Sequence, residues 1–505
     1  MANRASAAAP ATLWTMRLDR TAAVPLSRQL AAALHQALSE GRIEPGARLP
    51  STRALAQELG LARSTVVGVF EQLAAEGYIA GKPGSGYFAA ASLAGASVPD
   101  MTDTAAPRPL SRRGERLRGH GAYWPAERRP FELGHVDVDS GLMATWKRLA
   151  SRALTRRAGL VWNYGNPHGE LPLRRAIADY LAAARGVRCR PEQIVLTSGT
   201  QQGLALAASV LVDPGDAAWV EDPCYRSSLD ILRAAEAAIV PVPVDGDGLD
   251  IAAGSGAPPR LVYTTPSRQY PLGMAMPLAR RAALLAWAAR HGVWVIEDDY
   301  ESEFQAPGQM LPSLQGLDRA GRVIYLGTFS KLLFPSLRLG YAVLPEDLVA
   351  AFAGARHLTD RQSSGLIQAI MTEFMLDGHF ARHLKRMRAR YAERQHFLIA
   401  ELRRRLGGIV EIDPVESGMY LTAWLPWAWS DEAAAAALAA AGVTAVPLSS
   451  LTLAMPRRPG LVLGYTGHSE PALARAVETM AGVLSRPTGL INLSKPDLRP
   501  DRLRA

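Results

Sequence analysis

Residues 327–341 read GTFSKLLFPSLRLGY. Lys331 stands in an otherwise mild stretch, after Ser330 and before an apolar run, and Arg338 follows seven positions later. The residues just upstream, RVIYLGT (322–328), have the composition of a short buried strand. The sequence therefore places an ammonium group at the end of a buried strand. A lysine held there and partly desolvated loses its proton readily and becomes a nucleophile.

A nucleophilic lysine forms a Schiff base with an aldehyde, and pyridoxal phosphate is the common protein-bound one. That cofactor makes three further demands: a carboxylate for its pyridinium nitrogen, a hydrogen-bond donor for its phenolic oxygen, and N–H groups, hydroxyls and an arginine for its phosphate. Each has a candidate. GVWVIEDDY (292–300) reads as a strand, and a period of two puts Trp294, Ile296, Asp298 and Tyr300 on one face. Asp298 is placed for the ring nitrogen and Tyr300 for the phenolic oxygen. TSGTQQG (197–203) follows the apolar run QIVL and opens a helix, so Ser198, Gly199, Thr200 and Gln201 offer N–H groups and hydroxyls to a phosphate. Thr328, Ser330 and Arg338 flank the lysine and complete the cup. Tyr225, in EDPCYRS (221–227), supplies an aromatic plate to stack on the ring. Singly these residues are ordinary; together, in this order, they form a constellation.

From residue 131 to about 485 helical patterns alternate with short apolar runs such as AAWVEDP, PRLVYTTP and GVWVIEDDY. Alternation of this kind predicts an α/β domain with a mostly parallel sheet. The 505 residues, 48% hydrophobic, are enough for two or three domains. Mean hydropathy is near zero. No apolar run reaches membrane-spanning length, and MANRASAAAPATLW at the start lacks the apolar core of a secretory signal. Two cysteines, Cys189 and Cys224, fit neither a disulfide framework nor a zinc site, so reduced thiols in the cytoplasm are expected and no metal site. The net charge of +9 is uneven: residues 1–90, 91–130 and 486–505 each carry an excess of three cations, while 131–485 is balanced at 35 and 35. A polyanionic partner for the ends is consistent with that distribution.

The N-terminal region has its own pattern. In LSRQLAAALHQALSEG (26–41), Leu26, Leu30, Leu34 and Leu38 form one face of a helix with Gly41 as its stop. STRALAQELG (51–60) predicts a short helix opened by Ser51 or Thr52 and closed at Gly60. ARSTVVGVFEQLAAEG (62–77) predicts another, capped near Ser64 and ended at Gly77. YIAGKPGSGYFAA (78–90) reads as two short strands around a Gly/Pro turn. Helix, helix, turn, helix and hairpin in this order make a winged helix-turn-helix. Arg63, Ser64 and Thr65 lie on the first turn of the helix that would enter the major groove. Arg48 and Arg53 flank the preceding helix and are placed to grip phosphate. The wing offers Lys82 and an open backbone at Gly84, Ser85 and Gly86.

Over residues 24–88 the segment closely resembles the GntR family of bacterial repressors, through VPLSRQLAAAL, GRIEPGARLPSTRALAQELGLARSTV and LAAEGYIAGKPGSGYF. Over roughly 131–480 the chain resembles the fold-type I aminotransferases, through YGNPHGELPLRRAIADYL, TSGTQQGL, EDPCY, TTPSRQYPLG, EDDYESEF, the opening stretch and ESGMYL. The fusion is similar to the MocR, or PdxR-like, regulators. The resemblance implies a winged helix-turn-helix at 20–90, a linker at 91–130, a fold-type I pyridoxal phosphate-binding, effector and dimerisation domain at 131–485, and a flexible basic tail at 486–505. It implies Lys331 as the Schiff-base lysine with Asp298, Tyr300 and Arg338 in the roles above. It further implies a head-to-tail homodimer in which Tyr164 reaches the phosphate across the interface, and binding of double-stranded operator DNA.

Two departures bear on function. Where the aminotransferases carry the asparagine of NPTG this chain has RQYPLG, so Gln269 or Tyr270 takes over its contact. Where they carry an arginine that clamps the substrate carboxylate, this chain has GLVLGYTG, with Leu461, Val462 and Leu463; Arg457 and Arg458 lie just upstream. A missing bidentate clamp disfavours transamination of ordinary α-amino acids. The expected function is a cytoplasmic transcriptional regulator that senses an amino compound or pyridoxal phosphate. A working aminotransferase with a DNA-binding appendage is the alternative, and a large domain serving only as a dimerisation scaffold is a third reading.

Overall fold

The computed structural model describes residues 17–90, 108–118, 128–156, 158–305, 310–413, 418–454, 458–486 and 490. The chain divides into two compact units, Met1–Leu110 and Ser111–Ala505.

In the first unit, helix α1 (Leu26–Ser39) buries Leu30, Leu34, Ala37 and Leu38, the face predicted by the spacing of four; Leu26 is half-buried at its start. Gly41, at φ +69°, ends it in a conformation that costs glycine little. Helix α2 (Thr52–Leu59) is capped by Ser51, whose hydroxyl accepts from the Ala54 N–H at 3.1 Å. At its other end Gly60 is left-handed, and Arg20 donates to the carbonyls of Leu59 and Gly60. A cation on a helix C-terminus is the favourable sign for the dipole. Helix α3 (Arg63–Ala75) starts one residue before Ser64; its cap position is Ala62, which makes no side-chain bond. The expected cap at Ser64 is thus corrected: Ser64 lies inside the first turn with its side chain exposed. Strands β1 (Ile79–Lys82) and β2 (Gly86–Ala89) pair antiparallel, Ile79 opposite Ala89 and Lys82 opposite Gly86. Arg48 bridges to Phe88 beside this wing. Leu34, Leu55, Val66, Phe70, Leu73 and Ile79 meet in the module's own core. The unit begins slightly before residue 20, since Leu18 packs on that core and Asp19 bonds with Gln29.

The second unit begins within the expected linker. Most of 91–130 lies outside the described residues, but Arg112–Leu117 forms a short helix capped by Ser111, and Arg113 and Arg116 contact Glu236 at 3.5 and 3.1 Å. An eight-stranded sheet follows, built from β3 (Ile194–Thr197), β4 (Ala217–Asp222), β5 (Ala238–Asp245), β6 (Gly248–Leu249), β7 (Leu261–Thr264), β8 (Trp294–Asp299), β9 (Val323–Thr328) and β10 (Gly340–Val343). Their order is β3-β10-β9-β8-β7-β4-β5-β6. The pairs from β9 to β5 are parallel, as the alternating pattern predicts; β10 runs antiparallel to both β3 and β9, and β6 folds back on β5. Strands β3, β7, β8, β9 and β10 are buried from end to end, with Trp294 and Ile296 in one apolar cluster and Val295 in another, so both faces are covered there, while β5 toward the edge is part-exposed. A second sheet joins β11 (Glu411–Ile412), β12 (Tyr420–Trp424), β13 (Val446–Pro447) and β14 (Gly460–Gly464) in the order β11-β12-β14-β13. Of the tail, Leu490 is buried in the core and its carbonyl accepts from Ser430 N–H; residues 491–505 lie outside the described residues. Among the described residues no helix is long and apolar enough to cross a membrane.

Candidate functional site

The antiparallel insertion of β10 explains how the residues around Lys331 come together. After β9 the chain passes through Lys331, turns at Pro335–Leu337 and returns, so Gly340 stands between Thr328 of β9 and Thr197 of β3. Three chain turns therefore meet: 198–200 after β3, 329–331 after β9, and 338 before β10. A side chain on Gly199 would lie 3.6 Å from Arg338 Nη1 and 3.9 Å from Thr328 Oγ1. Gly199 itself sits at φ +110° and precedes the helix Thr200–Leu211, whose first N–H groups face this corner. Arg338 adopts φ +47°, a left-handed conformation that a non-glycine residue holds at a cost of about 1–3 kcal/mol.

The polar inventory of this corner is partly unspent. Ser330 Oγ is buried and has no hydrogen-bond partner, while the Ser330 N–H donates to Thr328 Oγ1 at 3.1 Å. The Ser198 N–H donates to Gln202 Oε1 at 2.8 Å, and Gln202 donates to Asp360. Gln201 points to solvent and Thr200 is half-buried. Lys331 makes no hydrogen bond or ion pair with any described residue. Burial lowers its basicity, and Arg338 adds to that effect, while the carboxylates of Glu301 and Asp298 oppose it. The chain covers the amine closely: a side chain on Gly134 would lie 2.7 Å from Lys331 Nζ.

Asp298 is buried at the C-terminal end of β8. Its Oδ2 accepts from Tyr263 OH at 2.7 Å, and its Oδ1 has no partner. Burial pushes the carboxyl up to about 7, against the pull of the Tyr263 hydroxyl and of Lys331. Tyr300 is adjacent, but its hydroxyl is engaged by the Arg268 carbonyl at 3.1 Å and by Tyr420 OH at 2.6 Å, as a buried phenol requires. Tyr225 is part-exposed at the start of the helix Arg226–Ala234, its ring edge-on to Tyr270 with centroids 5.5 Å apart. Gln269 is spent elsewhere, donating to Glu221, Pro223 and Tyr270 oxygens, so of the two residues expected to replace the NPTG asparagine Tyr270 is the one whose side chain lies among the pocket's tyrosines. Tyr164 is 81% exposed, with Arg361 over its ring, and is not part of the corner within one chain.

Sequence reasoning missed Tyr263, which β7 sets beside β8, and Glu221, which accepts from Thr264, Thr265 and Gln269 in the sheet interior. It also missed the contact of Arg268 Nε with Glu301 Oε1 at 2.6 Å. The first had a visible signal, a tyrosine near the end of the strand LVYT; the others join residues 33 to 48 positions apart and left none. The expected absence of an arginine in β14 is matched by its burial pattern, since Leu461, Val462 and Leu463 are fully buried. Arg458 instead pairs with Glu411 at 2.6 Å and donates to the Leu425 carbonyl; Arg457 lies outside the described residues. Among the described residues no cluster of three or more His, Cys, Asp or Glu could hold a metal ion.

In the first unit Arg48, Arg53, Arg63, Ser64, Lys82, Gly84 and Ser85 are exposed and Thr65 is half-buried. None of the four cations forms an ion pair with a described residue, so their charges are free for an external anion. Arg63 and Ser64 open α3, where the helix N-terminus adds its own positive field. Lys82 lies over the Phe88 ring at 4.9 Å, on the wing. If Lys82 contacts a phosphate, Lys82→Ala weakens binding to all DNA sequences alike and lowers the slope of log affinity against log salt by about 1. Titrations at several salt concentrations check this; a loss confined to one sequence contradicts it.

Residues 131–480 match the family described as aminotransferase class I and II, and residues 26–88 match the bacterial regulatory proteins of the gntR family. The chain is 38% identical over 469 residues to the probable rhizopine catabolism regulatory protein MocR of Rhizobium meliloti, covering 92% of this chain and 94% of that one. It is 28% identical over 463 residues to the pyridoxine biosynthesis transcriptional regulator PdxR of Corynebacterium glutamicum, covering 90% and 95%. Among solved structures it resembles LysN, the α-aminoadipate aminotransferase of Thermus thermophilus, in complex with N-(5'-phosphopyridoxyl)-L-leucine. That match has a TM-score of 0.67 and 26% identity over 74% of this chain and 97% of that one.

Proposed function

Because the chain belongs to the aminotransferase class I and II family and, with its GntR module, to the MocR-like transcriptional regulators, we propose that it holds pyridoxal phosphate on Lys331 and responds to an amino compound, or to the cofactor itself, by changing its hold on operator DNA. The observation that carries this reading is the set of unspent buried groups beside Lys331: Asp298 Oδ1 and Ser330 Oγ have no partner, and buried polar atoms are seldom left so. Their chemistry suits the cofactor: a carboxylate oxygen for a ring N–H, and a hydroxyl for a phosphate.

When bound, pyridoxal phosphate supplies an aldehyde that condenses with amines and a ring that withdraws electrons. The chain's residues do the rest. Desolvation keeps Lys331 ready to lose its proton. Asp298, ionised by the opposite charge, would receive the ring N–H on its free oxygen, with Tyr263 holding the other. Thr328, Ser330, Arg338, the Ser198 hydroxyl and the N–H groups at 199–201 would hold the phosphate, and Tyr225 and Tyr270 would close the ring's face. Tyr300 takes its part at the phenolic oxygen by exchanging one of its two present bonds. In a head-to-tail homodimer the exposed Tyr164 serves the partner's phosphate. Arg63, Ser64 and Thr65 read base edges, and Arg48, Arg53, Lys82, Gly84 and Ser85 grip the backbone. The protein acts in the cytoplasm.

With an effector amine bound in its place, Lys331 would be a free amine beside Glu301 and Asp298, and that change would act on DNA affinity only if it favoured one of two domain arrangements. The test is operator affinity measured with and without pyridoxal phosphate, and then with candidate amines. Affinity that moves with the visible spectrum supports the reading; affinity indifferent to both ligands defeats it. For the aminotransferase alternative, sustained multiple turnovers between an amino acid and a 2-oxoacid are the deciding result. The apolar β14 and the engagement of Arg458 by Glu411 disfavour them.

A further inference from the structure

Glu301 is a second buried carboxylate acting on Lys331, and the cofactor's demands do not account for it. Its Oε1 lies 2.6 Å from Arg268 Nε, a charge contact without the alignment of a hydrogen bond; neither oxygen has a well-aligned partner among the described residues, while the Met419 backbone and the Tyr300 hydroxyl lie close enough to help hold the carboxylate ionised. Arg268 is committed in turn: Nη2 donates to the Tyr420 carbonyl at 3.1 Å, and the guanidinium stacks over the Tyr420 ring at 5.0 Å. A guanidinium neutralised this way is a poor receptor for a carboxylate. The other described arginine near the expected clamp, Arg458, is held by Glu411. What this side of the pocket presents is an acceptor, Glu301 Oε2, beside the hydroxyls of Tyr300 and Tyr420, which are 2.6 Å apart.

Resting on the cofactor reading above, we propose that Glu301, set in place by Arg268, receives the second polar group of the effector, and that the effector is a primary amine bearing hydroxyl or further ammonium donors and no carboxylate. Its neutral amine would form the imine bond to the cofactor's aldehyde carbon as the imine bond of Lys331 breaks, the amine's two protons passing to Lys331, which leaves as the free amine, while its donors bond Glu301. An α- or β-amino acid brings a carboxylate against Glu301 and is disfavoured by like charge. Burial already pushes the Glu301 carboxyl up to about 7, Arg268 and Lys331 opposing, so an incoming donor or cation completes a charge that the site holds at a cost.

The experiment uses the full-length chain with pyridoxal phosphate. Serinol, putrescine, β-alanine, L-alanine and ethylamine are titrated while the visible spectrum is followed, for the wild type and Glu301→Gln. Serinol and putrescine are expected to half-saturate at concentrations about tenfold or more below the two amino acids, since hydrogen bonds to a charged group are worth more than neutral ones. In Glu301→Gln the advantage of serinol and putrescine, each taken relative to ethylamine, shrinks by about tenfold; the ethylamine titration measures the change that loss of the charge makes at Lys331 itself. A wild type that prefers β-alanine or L-alanine, or a variant with the preference intact, overturns the proposal. If Glu301→Gln does not fold, the wild-type ranking alone decides. A wild type that binds no pyridoxal phosphate overturns the cofactor reading and this proposal with it, whereas a normal visible band with the wrong ranking overturns the proposal alone.

Discussion

Replacing Lys331 by alanine abolishes covalent attachment of pyridoxal phosphate. The purified variant, mixed with the cofactor, shows no protein-bound visible band, and borohydride reduction adds no cofactor mass to the chain. The effect is all-or-none because the amine is the group that forms the bond, and no neighbouring lysine takes its place: the described residues that surround it are carboxylates, hydroxyls, tyrosines and arginines. The fold tolerates the change, since Lys331 makes no hydrogen bond or ion pair whose loss would leave a buried partner orphaned. Asp298 provides an internal check. Lys331 is one of the charges that draw its carboxyl down, so the variant's Asp298 holds its proton to still higher pH. A variant that keeps both the band and the mass increase shows that another residue carries the cofactor and defeats the assignment.

Arg63→Ala costs about 1–3 kcal/mol of operator binding and relaxes the preferred sequence at one base pair, if Arg63 reads a base edge. The position favours that role over phosphate contact. Arg63 is the first residue of α3, its side chain is exposed, and it has no carboxylate partner among the described residues. Its stability cost is small, because Arg63 is exposed and the helix is held by its buried face of Val66, Val69, Phe70 and Leu73. A selection or binding series over randomised operators separates the two roles. A uniform loss across sequences makes Arg63 a phosphate contact, and an unchanged preference defeats the base-edge assignment.

The DNA module was legible almost residue by residue because its signals are local. Leucines every four positions, a serine before a helix and glycines at left-handed turns all act within a few residues. The one local error, the cap at Ser64, came from ranking residue type above position; the helix starts at Arg63 and leaves the hydroxyl exposed on its first turn. The placement of Lys331, Asp298 and Arg338 beside strand ends was legible because short apolar runs mark where each strand stops. The antiparallel course of β10 was not, although it is what brings Arg338 next to Gly199 and Thr328. Strand direction depends on which edge accepts the returning chain, and neither composition nor period records that. Tyr263 was visible as a tyrosine near a strand end, but its bond to Asp298, like the contact of Arg268 with Glu301, joins elements that meet only after the sheet is assembled.

The close approach of Gly134 to the Lys331 amine has a mechanical consequence. The backbone from Phe131 to Val136 lies where the linker's end enters the large unit, and upstream the same chain is tied to Glu236 through Arg113 and Arg116. With 2.7 Å between the amine and the site of a side chain at 134, and φ +85° at that position, any residue but glycine strains the backbone there and pushes the tip of Lys331 off its present place. The lysine's position thus depends on a residue that offers it no side chain.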